Sequence, residues 1–283
     1  MQNLGLILEG GGMRGLYTAG VLDFFLDKGI ELKKIYGVSA GACNAISYIT
    51  KQRGRNLKIN AGFVRDKRYL SFRNLFRTGS IFGMQMLFET IPEELVPFDF
   101  EAFAQSDCEM YAGTTDIETG KAHFIQLEDL RNKQYLPLQA SMSLPLISNI
   151  VEVDGKKLLD GGIADPIPVD QSIRDGNIKN VVVLTQHREY RKEEDKSLPL
   201  LRRKYKEYPF LIEAMEKRHT VYNDTLDMLE RMELVGEAFV IRPSEPVSVG
   251  RLEKDTQKLL DLYHLGYRDT ENCCDKLLRF LEV

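Results

Sequence analysis

Two rhythms of apolar residues run along this chain, and the switches between them predict its elements. Leu4 to Leu8 (LGLIL) is an unbroken apolar run of the kind shown by a strand buried on both faces. It meets the glycines of EGGGMRG, after which LYTAGVLDFFLDKG carries apolar residues at helical spacing and stops at Gly29. Residues 35–38 repeat the strand signal, the chain turns at Ser39, and ACNAISYITKQRG reads as a second helix. Strand, helix, strand, helix predicts a βαβ unit on a parallel sheet.

Further strands are predicted at 109–114, 122–126, 150–153, 157–159, 181–185 and 238–241. Helices are predicted within 56–67, 83–89, 132–143, 165–175, 209–233 and 251–281. Residues 187–209 (HREYRKEEDKSLPLLRRKYKEYP) form a charge-dense break after the last central strand. The reading is an α/β domain over 1–186, with a charged linker, one further strand and C-terminal helices over 187–283 packed on the same domain.

Composition narrows the function classes. The chain has 283 residues, 43% of them hydrophobic and 28% charged, with a net charge of −4. That balance lacks the basic excess of a nucleic-acid binder. Cys43, Cys108, Cys273 and Cys274 have no metal-ligand spacing and read as free thiols. There is no uncharged apolar run near ~18 residues and no signal-peptide pattern at Met1, so the expectation is a soluble cytoplasmic protein.

Two motifs carry candidate chemistry. Gly37-Val38-Ser39-Ala40-Gly41 fits G-x-S-x-G between a strand and a helix, the pattern of a nucleophile elbow. The competing reading makes Ser39 an ordinary helix N-cap. Gly10-Gly11-Gly12-Met13-Arg14-Gly15 fits G-x-G-x-x-G. A dinucleotide site would need a carboxylate at the end of the second strand, where this chain has Val38 and Ser39. The other reading of the same glycines is a cradle of backbone amides for an oxyanion beside Ser39.

A serine nucleophile needs a base. His123, His187, His219 and His264 all stand in strand-like, charged or helical settings without a catalytic-loop character. Asp160 precedes Gly161 and Gly162, which leave its carboxylate clear of neighbouring side chains, although an Asp-Gly pair is also an ordinary turn signal.

Taken together, the glycine run at 10–15, the elbow at 37–41, the Asp160-Gly161-Gly162 turn and Ala140-Ser141-Met142-Ser143-Leu144-Pro145 resemble the patatin-like phospholipase family, in its order, over about residues 4–185. The resemblance implies a three-layer α/β/α fold with a mostly parallel sheet, and a Ser39–Asp160 dyad without histidine. It also implies an oxyanion hole from the backbone of Gly11, Gly12 and Met13, with Arg14 anchoring that loop. The implied substrate is a lipid acyl ester, and no metal or cofactor is implied. The chain departs from the family at Asp165, where many members carry Asn; a carboxylate there either alters the field at the dyad or caps the next helix, and the cap is the expectation. A triad esterase using His219 or His264, and a lipid-binding protein without turnover, are the alternatives.

Residues 51–80 hold nine basic side chains against one acid, a local charge of +8 inside an acidic protein. The apolar run 81–88 follows at once. The pair suggests either peripheral contact with an anionic membrane surface or solvated helix faces over a core helix. Phe82, Met84, Met86 and Phe88 are candidates to line an acyl pocket or lid.

Overall fold

The computed structural model describes residues 3–282. β1 (Leu4–Leu8) is buried at all five positions. The chain then makes one 3₁₀ turn (Gly12–Arg14) and enters α1 (Gly15–Lys28), which ends at Gly29 with φ 65°. β2 (Lys34–Val38) pairs parallel to β1 and leads directly into α2 (Ala40–Ile49). An excursion follows, holding α3 (Arg55–Phe63), α4 (Phe72–Thr78), a π-helix (Met86–Leu95) and α5 (Phe100–Ala104). β3 (Glu109–Asp116), β4 (Ala122–Leu127), α6 (Leu136–Ser141), β5 (Val151–Val153), β6 (Lys156–Asp160) and α7 (Val169–Arg174) come next. β7 (Lys179–Val183), α8 (Leu198–Lys204), α9 (Pro209–Val235), β8 (Ala238–Ile241) and α10 (Thr256–Glu282) complete the order.

The eight strands form one sheet, β5-β6-β3-β2-β1-β7-β8, with β4 paired to β3. β3, β2, β1, β7 and β8 are parallel, while β4, β5 and β6 add antiparallel pairs at one side. Alternate side chains of each central strand serve opposite layers. Leu6 and Leu8, Ile35, and Val181 and Val183 pack in one cluster with α1, α2 and α10. Ile7, Tyr36 and Val182 pack in another with Val169 of α7 and Tyr222, Leu226 and Leu229 of α9. A sheet covered on both faces explains why these strands read as continuous apolar runs. α10 lies on α1 at a crossing made by two glycines. A Cβ on Gly20 would stand 2.1 Å from the Tyr263 carbonyl, and one on Gly266 2.1 Å from that of Tyr17.

Several predicted helices are shorter than their pattern, for local reasons. Asn132 and Lys133 take positive φ, so the helix predicted at 132–143 starts only at Leu136. Pro166 and Pro168 bias the residues before them away from helix, and the segment predicted at 165–175 becomes helical at Val169. The helix expected at 83–89 is instead a π-helix displaced toward the C-terminus. Pro92 inside it has no N–H to donate to an α-type ladder. α4, α5 and α8 are too short to leave a periodic signal. No helix among the described residues is long and apolar enough to cross a membrane.

Candidate active site

The site sits at the carboxyl ends of β1 and β2, where open α/β sheets place their ligands. Ser39 joins β2 to α2 with φ 54° and ψ −122°, a conformation unfavourable for any residue with a Cβ and costing about 1–3 kcal/mol. Its side chain makes no capping bond to α2, so the N-cap reading fails. The sharp turn is possible because its neighbours have no side chains. A Cβ on Gly37 would lie 2.6 Å from the Ala42 Cα, and one on Gly41 2.3 Å from the Leu8 carbonyl. The Ser39 amide donates to Ser141 Oγ (2.8 Å), which donates to the Gly113 carbonyl (2.7 Å), pinning the elbow to β3.

Strand register brings Asp160 to the same place. Val38 is the last β2 residue paired along β3, opposite Gly113. One residue on, Thr114 pairs with Asp160 of β6, while β4 occupies the other edge of β3. β6 therefore continues the edge that β2 leaves at Ser39. Gly161 permits the approach, since a Cβ there would be 2.2 Å from the Gly113 carbonyl. Asp160 is buried, and its Oδ1 accepts from the Gly162 amide at 2.8 Å. Oδ2 is buried with no hydrogen-bond partner among the described residues. Burial pushes this carboxyl above its usual range. The nearby Ser39 hydroxyl, Arg218, the Gly162 amide and Arg251 all pull the other way.

The glycine loop approaches Ser39 closely. A Cβ on Gly10 would lie 3.0 Å from that of Ser39, and one on Gly15 2.7 Å from that of Ala40. Gly11 is packed against Thr185, and Gly12, at φ 58°, against the Arg251 carbonyl. Two expectations change here. The Met13 amide is committed to the Arg251 carbonyl (3.1 Å), so it has no free N–H for an oxyanion. Arg14 does not anchor the loop by hydrogen bonding. Its guanidinium lines a cavity at Ser39, with Nε buried and unpartnered.

Two cavities meet at Gly12, Ser39 and Leu144. One is walled by apolar side chains that include Ile59, Phe82, Phe88, Leu138 and Met142. Phe82 and Phe88 line it as expected, whereas Met84 and Met86 pack into the core around it. Arg55 also borders it, stacked on Phe98 and donating to the carbonyl of Val96 and the hydroxyl of Ser47. The other cavity is polar, bordered by Glu9, Asp160, Arg14, Lys192, Arg218 and Arg251. No histidine borders either cavity; His187 and His219 face an outer cleft, and His264 lies on α10. Among the described residues no group of three or more His, Cys, Asp or Glu side chains could hold a metal ion.

Sequence reading missed Glu9, Lys192, Arg218 and Arg251. Glu9 ties the loop to two distant segments, accepting from the Thr185 amide (2.6 Å) and from the Tyr222 hydroxyl (2.9 Å). The others lie in a charged segment and in the C-terminal region, where no local motif marks them. Asp165 also differs from expectation: α7 begins at Val169 without a side-chain cap, so Asp165 does not cap that helix. Burial and the charge of Asp170 push its carboxyl up to about 6. A raised carboxylate contributes stability below its unfolded pKa, and that stability is lost as pH rises through about 6. Asp165→Asn is therefore expected to stabilise the fold at pH 7.5 by up to about 3 kcal/mol. Urea melts should show that gain shrinking to nothing by about pH 4; a gain that persists there would assign it to something other than charge.

A helix-flanked mixed sheet with a strained serine elbow and a glycine loop at the carboxyl edge of its parallel strands defines an α/β serine-elbow protein. Comparison with known proteins makes the class specific: residues 6–173 match the patatin-like phospholipase model, and the chain belongs to that family. Residues 208–282 match a domain of unknown function, DUF6363. The Escherichia coli (strain K12) protein YjjU is 28% identical over 64% of this chain and 52% of its own length. Lysophospholipase nte1 of Aspergillus niger is 28% identical over 60% of this chain and 11% of its own, so the chain spans about half of one relative and a tenth of the other. VipD from Legionella pneumophila aligns over 98% of this chain and 67% of its own, with a TM-score of 0.45 and 13% identity.

Proposed function

We propose that the protein is a lipid acyl hydrolase acting on phospholipid or lysophospholipid esters through a Ser39–Asp160 dyad. The observation that carries this is the buried Asp160 carboxyl beside the strained Ser39, which lines both the polar cavity that Asp160 borders and the apolar one. The family and the lysophospholipase relatives support the same reading. In this scheme the acyl chain lies in the apolar cavity with its carbonyl carbon against Ser39 Oγ. Asp160 accepts the hydroxyl proton as Oγ attacks, and later returns it to the leaving alcohol. The amides of Gly11 and Gly12 and the N-terminus of α2 stabilise the developing oxyanion. Water then repeats the cycle and frees the fatty acid. Burial, by raising the pKa of Asp160, makes it a stronger base than a surface aspartate. The test is hydrolysis of a short p-nitrophenyl ester and of a lysophospholipid by wild type, Ser39→Ala, Asp160→Asn and His219→Ala/His264→Ala. Loss confined to the first two variants supports the dyad; loss in the histidine variant would replace it with a triad.

Access to such substrates suggests docking on a membrane surface. The loop between the paired residues Leu70 and Phe82 carries α4, which exposes Phe72 (67%) and Phe76 (87%) one turn apart. Arg73 and Arg77 beside them, with Arg65 and Lys67, are also exposed. Much of the rest of the basic stretch is otherwise engaged: Lys51 pairs with Glu31, Arg53 with Asp27, Arg68 with Asp66, and Arg55 is buried. Inserting one phenylalanine contributes about 1.5–3 kcal/mol and each basic residue near anionic lipid about 1 kcal/mol. Phe72→Ser/Phe76→Ser is expected to weaken sedimentation with phosphatidylglycerol-containing vesicles at least roughly tenfold. Unchanged sedimentation would remove α4 from the docking surface.

A further inference from the structure

The polar cavity at Ser39 is bordered by more cationic than acidic side chains. Four cationic side chains border it, from different parts of the chain: Arg14 in the glycine loop, Lys192 in the segment before α8, Arg218 on α9 and Arg251 before α10. Glu9 and Asp160 are the two acids there, and neither neutralises them by direct pairing. Both Glu9 oxygens are occupied by Thr185 and Tyr222, and Asp160 Oδ1 by the Gly162 amide. Among the described residues none of the four cations has a carboxylate within ion-pair distance.

Their surroundings hold them in place. Lys192 Nζ stands 4.2 Å over the Tyr222 ring, and its backbone is fastened to Asn223 by two hydrogen bonds. Arg218 Nε donates to the Gly162 carbonyl. The Arg251 carbonyl is the acceptor that closes the glycine loop on Met13. Burial, then repulsion from Arg218, and also the charges of Arg251 and Arg14, push the Lys192 ammonium down to about 7. All four are half-buried, and half-buried cations left without a carboxylate partner beside a candidate nucleophile have the composition of an anion site awaiting its ligand.

We propose that Lys192, Arg218 and Arg251 form a phosphate clamp that selects acyl esters whose leaving group carries a phosphate. All three lie beyond residue 173, where the patatin-like match ends, and two of them lie in the region of unknown function at 208–282. That region thereby acquires a role: it completes the site from the headgroup side while the family core holds the acyl chain. The two cavities meet at Ser39, so an ester placed there has its chain in one and its phosphate in the other. The three clamp residues also border the outer cleft along residues 187–196, where Glu189, Glu193, Glu194 and Asp195 set a mixed charge that confines the cationic excess to the cavity at Ser39. The inference deepens the proposed hydrolase reading and rests on it for the identity of the substrate, but not for anion binding.

The experiment has a binding arm and a turnover arm, both on the full chain. In calorimetry, sn-glycerol 3-phosphate should bind and glycerol should not. Lys192→Gln/Arg251→Gln should weaken the phosphate ligand at least roughly tenfold. The backbone bonds of both residues survive those substitutions, and a thermal melt confirms that the variant is folded. In turnover, the ratio of kcat/KM on lysophosphatidylglycerol to that on a monoacylglycerol of the same chain should fall at least roughly tenfold in the variant. An acyl-coenzyme A thioester of that chain, run alongside, distinguishes a lipid headgroup from a thioester carrier as the source of the phosphate. Equal binding of glycerol 3-phosphate by a folded variant, no binding by wild type, or an unchanged ratio would overturn the clamp. Phosphate binding without hydrolysis of any ester would support it and overturn the Ser39 reading instead.

Discussion

Ser39→Ala is expected to lower ester hydrolysis by about 10⁴-fold or more, because in the proposed mechanism the group that forms the covalent intermediate is removed while the oxyanion amides remain. The informative comparison is with Ser39→Gly. At φ 54° and ψ −122° both serine and alanine carry Cβ strain, so Ser39→Ala should melt near wild type. Glycine has no such strain and recovers about 1–3 kcal/mol, less about 0.5–1 kcal/mol for its greater freedom in the unfolded chain. An inactive Ser39→Gly that melts above Ser39→Ala would show that the elbow stores strain to present the hydroxyl. A glycine variant that melts below the alanine variant would sink that account, and substantial activity in either would remove Ser39 from the chemistry.

How much of this site could be read in the sequence follows from how local each feature is. The elbow and the glycine loop were legible because both are turns whose backbone demands glycine: Gly37 and Gly41 have no room for a Cβ, and Gly12 has a positive φ. Central strands were legible because burial on both faces removes polar residues from them. Asp160 could be picked out beside its two glycines, yet its meeting with Ser39 depends on β6 taking over the β3 edge where β2 stops. That is a fact of register over more than a hundred residues and leaves no local mark. The cations Lys192, Arg218 and Arg251 were invisible for the opposite reason. In a chain with 38 lysines and arginines, a charged segment looks like a solvated surface until the fold turns one side of it inward. Met13 had the right sequence position for an oxyanion donor, and only the distant Arg251 carbonyl shows its amide to be engaged.

Asp160→Asn separates function from stability most sharply. Replacing the base with an amide should lower hydrolysis by about 10²–10⁴-fold. The effect on the fold should run the other way. The folded pKa of Asp160 is raised, because burial outweighs the Ser39 hydroxyl, Arg218, the Gly162 amide and Arg251. A group shifted in this direction contributes stability below its unfolded pKa, about 3.9, and loses it as pH rises through the folded value. At pH 8 the wild type therefore lacks that stability, and the carboxyl stays buried with an Oδ2 that has no hydrogen-bond partner among the described residues. The asparagine keeps the acceptor used by the Gly162 amide and removes the titrating carboxyl, so the variant should melt higher at pH 8 by about 2–4 °C for each kcal/mol recovered. Near pH 4 the two proteins should converge, since both sites are then close to neutral. If Asp160→Asn instead melts lower at pH 8, the surrounding cations would be stabilising the carboxylate more than burial penalises it. Asp160 would then be a counter-ion to Arg218 and Arg251 first, with base catalysis resting on a carboxylate of ordinary or lowered pKa.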